Sequence, residues 1–245
     1  MRNKIIFFVR HGQSQLNFSN VRQGADGPLS EMGRTQAAKA AELLATQKID
    51  VMYASPYQRA KETADIIAAR LKKKVKLCDL LVERKNPSEI IGHSLEEKDI
   101  QAIVERFERS YHDDSLRISD EENFLDLKLR AQKLTAFLES RWSNRILCVT
   151  HGVFLKMVAS YMLLGDKVTA TDYVKLSQLN PLHNAGIVIC LYTKKLFKKG
   201  VWHILIWDNT LQRDVDWREA DDILRSLGTT YQDISDIFGV RYMEA

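Results

Sequence analysis

Two histidines in this 245-residue sequence each end an apolar run and each precede a glycine: residues 7–12 read FFVRHG and residues 147–152 read LCVTHG. An imidazole can act as a nucleophile, carry a proton or donate a hydrogen bond. Arg10, beside the first histidine, does none of that proton chemistry; its planar, permanently charged fork is suited to paired oxyanion contacts. A second fork, Arg59, follows the short apolar run VMYASP at residues 51–56. Gly12 and Gly152 let backbone amides approach an anion, and helix N-termini at those points favour negative charge. Two arginines and two histidines at one place would suit a group with several charged oxygens, phosphate above all.

That convergence requires particular elements. Ile5 to Val9 is a continuous apolar run rich in β-branched and aromatic residues, as expected of a strand covered on both faces in a parallel sheet. Arg145 to Thr150 is a second such strand, and ligands of open α/β sheets bind beyond the carboxyl ends of the strands. Ser30 is placed to cap a helix built on AAKAAELLA. Strand-like runs are expected at Ile49 to Ala54 and Val75 to Leu81, and helices at Tyr57 to Leu71, Glu96 to Tyr111, Asn123 to Trp142 and Val153 to Leu164. Apolar runs at 186–193 and 201–207 flank Lys194 to Gly200, which reads as a hairpin with a solvated tip. The alternation predicts an α/β fold, a three-layer α/β/α sandwich with a mostly parallel central sheet. No internal repeat, low-complexity tract or linker interrupts it, so residues 1–245 are expected to form a single domain with a helical tail from about 214.

The ordered motifs resemble the histidine phosphatase superfamily, the phosphoglycerate mutase-like branch 1 type. They are RHGQSQLN, carrying Arg10, His11, Gly12, Ser14 and Asn17; QGADGPLSEMGRTQA, opening with Gln23 and Gly24; SPYQRAKET, carrying Arg59; Leu81-Val82-Glu83-Arg84; and Thr150-His151-Gly152. RHG alone is weak, whereas five matches in order over roughly residues 5 to 190 are specific.

The resemblance implies a phosphoglycerate mutase-like fold and a phosphatase that hydrolyses a phosphate monoester through a phosphohistidine. It makes His11 the nucleophile, with Arg10, Arg59 and His151 on the phosphoryl oxygens and Asn17 an added donor. Ser14, Gln23, Gly24 and Gly152 complete the expected substrate-binding set. The flanking guanidinium charges disfavour an imidazolium and keep the His11 lone pair free. Glu83 falls where the family carries its general acid, with Asp79 and Glu89 as alternatives. The region at about 84–144 is expected to be a helical insertion over the active site that sets specificity; its Lys85, His93, Arg106 and Arg109 suit a polar phosphorylated metabolite or simply a solvated surface. Mutase-type phosphotransfer and non-catalytic phosphate binding stay open. The mutases carry an extended substrate loop that is not found between Glu83 and Arg145.

Simpler readings apply to other residues. Ser14 and Asn17 could cap the turn after the strand. His93, His112, His183 and His203 lie outside the motifs and read as surface or packing residues. No cofactor is expected, and a metal held by His11, His151 and Glu83 is disfavoured because paired arginines repel a cation.

The formal charge of +4 permits an anionic ligand without arguing for nucleic acid. Lys72 to Lys74 suit the end of a helix, where cations complement the dipole. The stretch SLGTTYQDISDIFGV leaves no room for a recognition helix, so packing or homodimer formation is expected of it rather than DNA binding. Three scattered cysteines (Cys78, Cys148, Cys190) suit a reducing compartment. The apolar segment before Arg10 is too short for a signal peptide, and no run approaches a membrane span. The expected setting is cytoplasmic, with a small phosphorylated substrate and neither a nucleic-acid nor a membrane partner.

Overall fold

The computed structural model describes residues 2–18, 21–179 and 181–209, so the tail expected from about 214 lies outside the described residues. In chain order the elements are β1 (Arg2–Arg10), α1 (Gln15–Phe18), α2 (Glu31–Leu44), β2 (Val51–Ala54), α3 (Gln58–Leu71), β3 (Val75–Leu77), α4 (Lys98–Ser110), α5 (Phe124–Ser140), β4 (Arg145–Thr150), α6 (Gly152–Leu164), α7 (Ala170–Leu179), β5 (Ile187–Lys194) and β6 (Val201–Asn209). The strands form one sheet in the order β3-β2-β4-β1-β5-β6. β3, β2, β4 and β1 run parallel, while β5 and β6 form an antiparallel margin.

β1 shows why the strand reads as apolar without alternation. Ile6 and Phe8 enter a core shared with α4, α5, α6 and α7, whereas Phe7 and Val9 enter one shared with α2 and α3. Each face of the sheet is therefore covered, which is the three-layer arrangement. Ser30 caps α2 by accepting from the Gly33 amide at 3.0 Å. Asn123 and Asp126 form a reciprocal capping box at the start of α5. Cys148 and Cys190 are buried in the core and Cys78 is half-buried.

One expected strand is cut short. Only Val75–Leu77 pairs, because β3 lies at the sheet margin and meets β2 alone, whose last residue Ala54 stands opposite Leu77. Asp79–Leu81 coils into a 3₁₀ turn that buries Leu81, whose carbonyl accepts from the Thr150 hydroxyl at 2.7 Å. That bond brings the following residues, Val82 and Glu83, to the carboxyl end of β4. The sequence reading also gave no element to 170–179, where α7 forms.

The segment that follows β1 meets the first turn of α2 more closely than side chains allow. A Cβ on Gly33 would lie 2.0 Å from the Gln13 carbonyl oxygen, and one on Gly12 would lie 2.3 Å from that of Gly33. Since backbone rather than a movable side chain stands in the way, Gly33→Ala is expected to destabilise the fold by about 3 kcal/mol. An unchanged urea midpoint would contradict that close packing.

Candidate active site

Register places the two histidines together. Arg10 pairs with Thr150 across β1 and β4, so His11 and His151 leave neighbouring strands at one edge. Their rings sit with centroids 5.0 Å apart, and the two residues are 4% and 0% exposed. β2 ends beside them, and the first turn of α3 delivers Arg59, also buried.

Hydrogen bonds orient both rings. His11 donates from Nδ1 to the Gly12 carbonyl at 2.7 Å, which leaves the Nε2 lone pair facing Arg59, whose Nε donates to it at 3.3 Å. Arg59 is held from behind by the Gly24 carbonyl at 2.9 Å. The Ser55 hydroxyl oxygen accepts from the Tyr57 amide at 3.2 Å and lies 2.8 Å from His151 Nε2, and we assign the tautomer in which Ser55 donates its proton to that nitrogen. His151 then carries its own proton on Nδ1, a buried atom with no protein partner. Arg10 Nε is likewise buried without a partner, while its Nη1 donates to the Leu182 carbonyl. Two unused donors thus stand beside one lone pair.

Charge follows burial. Both imidazoles are held well below their ordinary pKa, chiefly by burial. Arg59 and Arg10 push His11 further down, against the opposing effect of its bond to Gly12; for His151 the next contributions come from His11 and Arg59. His11 is therefore a free base at neutral pH. Burial also lowers Arg10 and Arg59, with the Glu83 charge countering it.

In the unfolded chain each imidazole regains a pKa near 6.5, so below that pH the unfolded state binds more protons and stability falls as pH falls. The loss reaches roughly 1.4 kcal/mol per pH unit for each histidine. Melting temperature is expected to drop between about pH 7 and pH 5, and to drop less in His151→Asn. An equal drop in both proteins would contradict burial of a neutral His151.

Glu83 sits at the N-terminus of α6. Its carboxylate accepts from the amides of Phe154 (2.9 Å), Val153 (3.2 Å) and Arg84 (2.9 Å). Asp79 is exposed, and Glu89 is exposed with its carboxylate taking the Ser119 hydroxyl. Of the three candidate acids, Glu83 is the one whose charge acts on both Arg10 and Arg59.

The remaining expected site residues divide. Gly24 supports Arg59 through its carbonyl, and a Cβ on Gly152 would meet Arg10 Nε at 3.1 Å. Gln23 donates to the Ser14 hydroxyl at 2.7 Å, so these two brace the loop that carries Gly24. Asn17 falls in α1, and its side chain lies outside the described residues. In the 84–144 region, Lys85 and Arg109 are engaged in exposed ion pairs with Asp120 and Glu105, and His93 Nδ1 is hydrogen-bonded to the Glu97 carboxylate at 3.2 Å. Among the described residues no group of His, Cys, Asp or Glu is arranged to hold a metal ion.

Two supporting structures were not foreseen. Arg130 of α5 lies 3.9 Å over the Phe154 ring, pairs with Glu122 and donates to the Val82 carbonyl at 2.6 Å and the Glu83 carbonyl at 3.3 Å. It fixes the segment that bears Glu83. At the other side, Asn184 Nδ2 and the Ala185 amide both donate to the His11 carbonyl at 3.2 Å. Asp208 closes this loop by accepting from the His183 amide and imidazole, so His183 serves a local clasp instead of free surface. Their sequence signal is slight, since each contact joins residues far apart in the chain through backbone carbonyls.

Comparison with known proteins agrees with this arrangement. A family model described as histidine phosphatase superfamily (branch 1) matches residues 6–205. A probable phosphoglycerate mutase GpmB from Enterobacter sp. is 30% identical over 165 residues, covering 64% of this chain and 74% of that protein. A probable phosphatase of Schizosaccharomyces pombe is 29% identical over 199 residues, covering 76% of this chain and 63% of that protein. The solved mycobacterial glucosyl-3-phosphoglycerate phosphatase shares the fold with a TM-score of 0.71 at 24% identity, over 84% of this chain and 99% of that one.

Proposed function

Because the chain belongs to the histidine phosphatase superfamily, branch 1, we propose that it is a phosphatase hydrolysing a small phosphate monoester through a phosphohistidine on His11. The observation that carries this reading is the His11 ring itself: buried, neutral, and turned so that its free Nε2 lone pair meets the Arg59 guanidinium. A phosphoryl oxygen is a better acceptor for Arg59 than that lone pair, so substrate binding releases the nucleophile.

Glu83 takes up the proton carried by the bound monoester monoanion; Nε2 then attacks phosphorus, the P–O ester bond breaks, and the leaving oxygen takes that proton from the Glu83 carboxyl group. Arg10, Arg59 and the Nδ1 proton of His151 hold the phosphoryl oxygens while their charge redistributes. Glu83, now a carboxylate, removes a proton from water; the water oxygen attacks phosphorus, the P–N bond breaks and inorganic phosphate leaves. Glu83 begins this cycle as the cap of α6, whose N-terminal amides also favour the phosphoryl group. Arrival of substrate gives those amides a second acceptor and frees a carboxyl oxygen for proton transfer.

Metal independence belongs to the same reading, since two buried guanidinium groups would repel a cation from this position. Mutase-type phosphotransfer is the second reading, favoured by the 30% identity to a protein named as a probable phosphoglycerate mutase. A panel of sugar phosphates, nucleotides, phosphoglycerates and phosphopeptides, assayed with and without EDTA, separates them. Chelator-resistant release of phosphate supports the phosphatase; isomerisation of phosphoglycerate supports the mutase; binding without turnover removes both.

A further inference from the structure

The β5–β6 hairpin ends in an unusual surface. Its turn, closed by a 3.1 Å bond from the Lys198 amide to the Lys195 carbonyl, carries Leu196 and Phe197 at its apex, 77% and 97% exposed. Phe197 has φ of 60°, a left-handed position that turns ordinarily give to glycine or asparagine. Either of those would make the turn with less strain and better hydration. Lys194, Lys195, Lys198 and Lys199 flank the apex, all exposed.

Sheet topology extends this surface. Lys194 at the end of β5 stands opposite Arg2 at the start of β1, so the hairpin projects from the edge opposite the histidines. The starts of β1, β2, β3 and β4 share that edge. Trp142, 94% exposed, lies just before β4 and the exposed Lys72 to Lys74 just before β3. Of the acidic groups nearby, Asp50 accepts from the Asn144 and Arg145 amides, and Glu139 accepts from the Tyr192 hydroxyl and the Trp202 indole.

We infer that this edge is a peripheral docking surface for an anionic lipid bilayer. Leu196 and Phe197 enter the headgroup region, the flanking lysines meet lipid phosphates and carboxylates, and the catalytic edge faces away into water. Apolar apex and basic flanks together favour a bilayer over nucleic acid, which would use the charge and leave the apolar pair in water. The expectation of no membrane partner rests on the lack of a spanning segment, and among the described residues no helix is long and apolar enough to cross a membrane. A surface anchor needs no such helix.

The test is co-sedimentation of the whole protein with phosphatidylcholine vesicles, with and without phosphatidylserine. Binding is expected only to the anionic vesicles, weakening at least tenfold with added salt, in Leu196→Ser/Phe197→Ser, and in a variant with the four hairpin lysines changed to glutamine. Hydrolysis of a soluble ester should stay within twofold of wild type in both variants, which also shows that they fold. Failure of the wild-type protein to bind anionic vesicles overturns the proposal. So does binding that the serine variant retains, or equal binding of wild type and serine variant to a DNA duplex at vesicle-like affinity. None of these outcomes bears on the reaction at His11.

Discussion

Replacing His11 by alanine is expected to lower kcat/KM for any substrate ester by at least about 10⁴-fold while leaving the fold intact and phosphate still bound. The magnitude follows from what the imidazole does. Without Nε2 the reaction loses its covalent route, and direct attack of water must then cross a barrier that fixed charges alone lower only in part. Binding survives because Arg10, Arg59 and His151 come from separate elements and none depends on the His11 ring for its position: Arg59 keeps the Gly24 carbonyl, Arg10 keeps the Leu182 carbonyl, and His151 keeps Ser55. Calorimetric titration with inorganic phosphate beside steady-state kinetics checks both halves. Retention of more than about a tenth of wild-type activity would remove His11 from its role.

Glu83→Gln is expected to separate chemistry from binding in another way. The amide keeps the size of the carboxyl group and can still accept from one α6 amide, but it can neither give a proton to a leaving oxygen nor take one from water. General acid–base catalysis by one side chain is worth about 10²–10⁴-fold, and kcat should fall within that range. Phosphate affinity should change by less than about fivefold, since Arg10, Arg59 and His151 keep their own supports and the charge removed is that of one half-buried carboxylate. With an ester of a good leaving group, phosphorylation needs little acid assistance, so the variant should show a burst of product followed by slow turnover. Parallel losses of phosphate affinity and kcat would instead make Glu83 a support for α6.

The strands, the two histidines and the two arginines were legible because their cause is local. β1 and β4 are buried on both faces, so nearly every residue in them is apolar, and each run stops where the chemistry begins. Glu83 was readable only through its motif; its place depends on the 3₁₀ turn and the Thr150 bond to Leu81, neither of which leaves a periodic signature. The expected strand to Leu81 failed for the complementary reason. Val75, Leu77, Leu80 and Leu81 are apolar enough for a strand, but how far a marginal strand continues is decided by its neighbour, and β2 ends at Ala54.

The braces around the site were the least legible. Arg130, Asn184 and Asp208 act on backbone carbonyls and amides contributed by distant segments, and a backbone group carries no residue identity to read. The hairpin lysines were visible in sequence as a solvated tip. What the fold adds is the direction of Leu196 and Phe197, outward at a turn where no core could take them.

The covalent step is tested most directly by quenching Glu83→Gln in base during turnover and locating the phosphoryl group by mass spectrometry. An acid-labile, base-stable phosphoryl group on His11, absent from a parallel sample of His11→Ala and lost on the timescale of phosphate release, is the predicted result. Turnover without any phosphorylated residue, or with the label on a side chain other than His11, would contradict it.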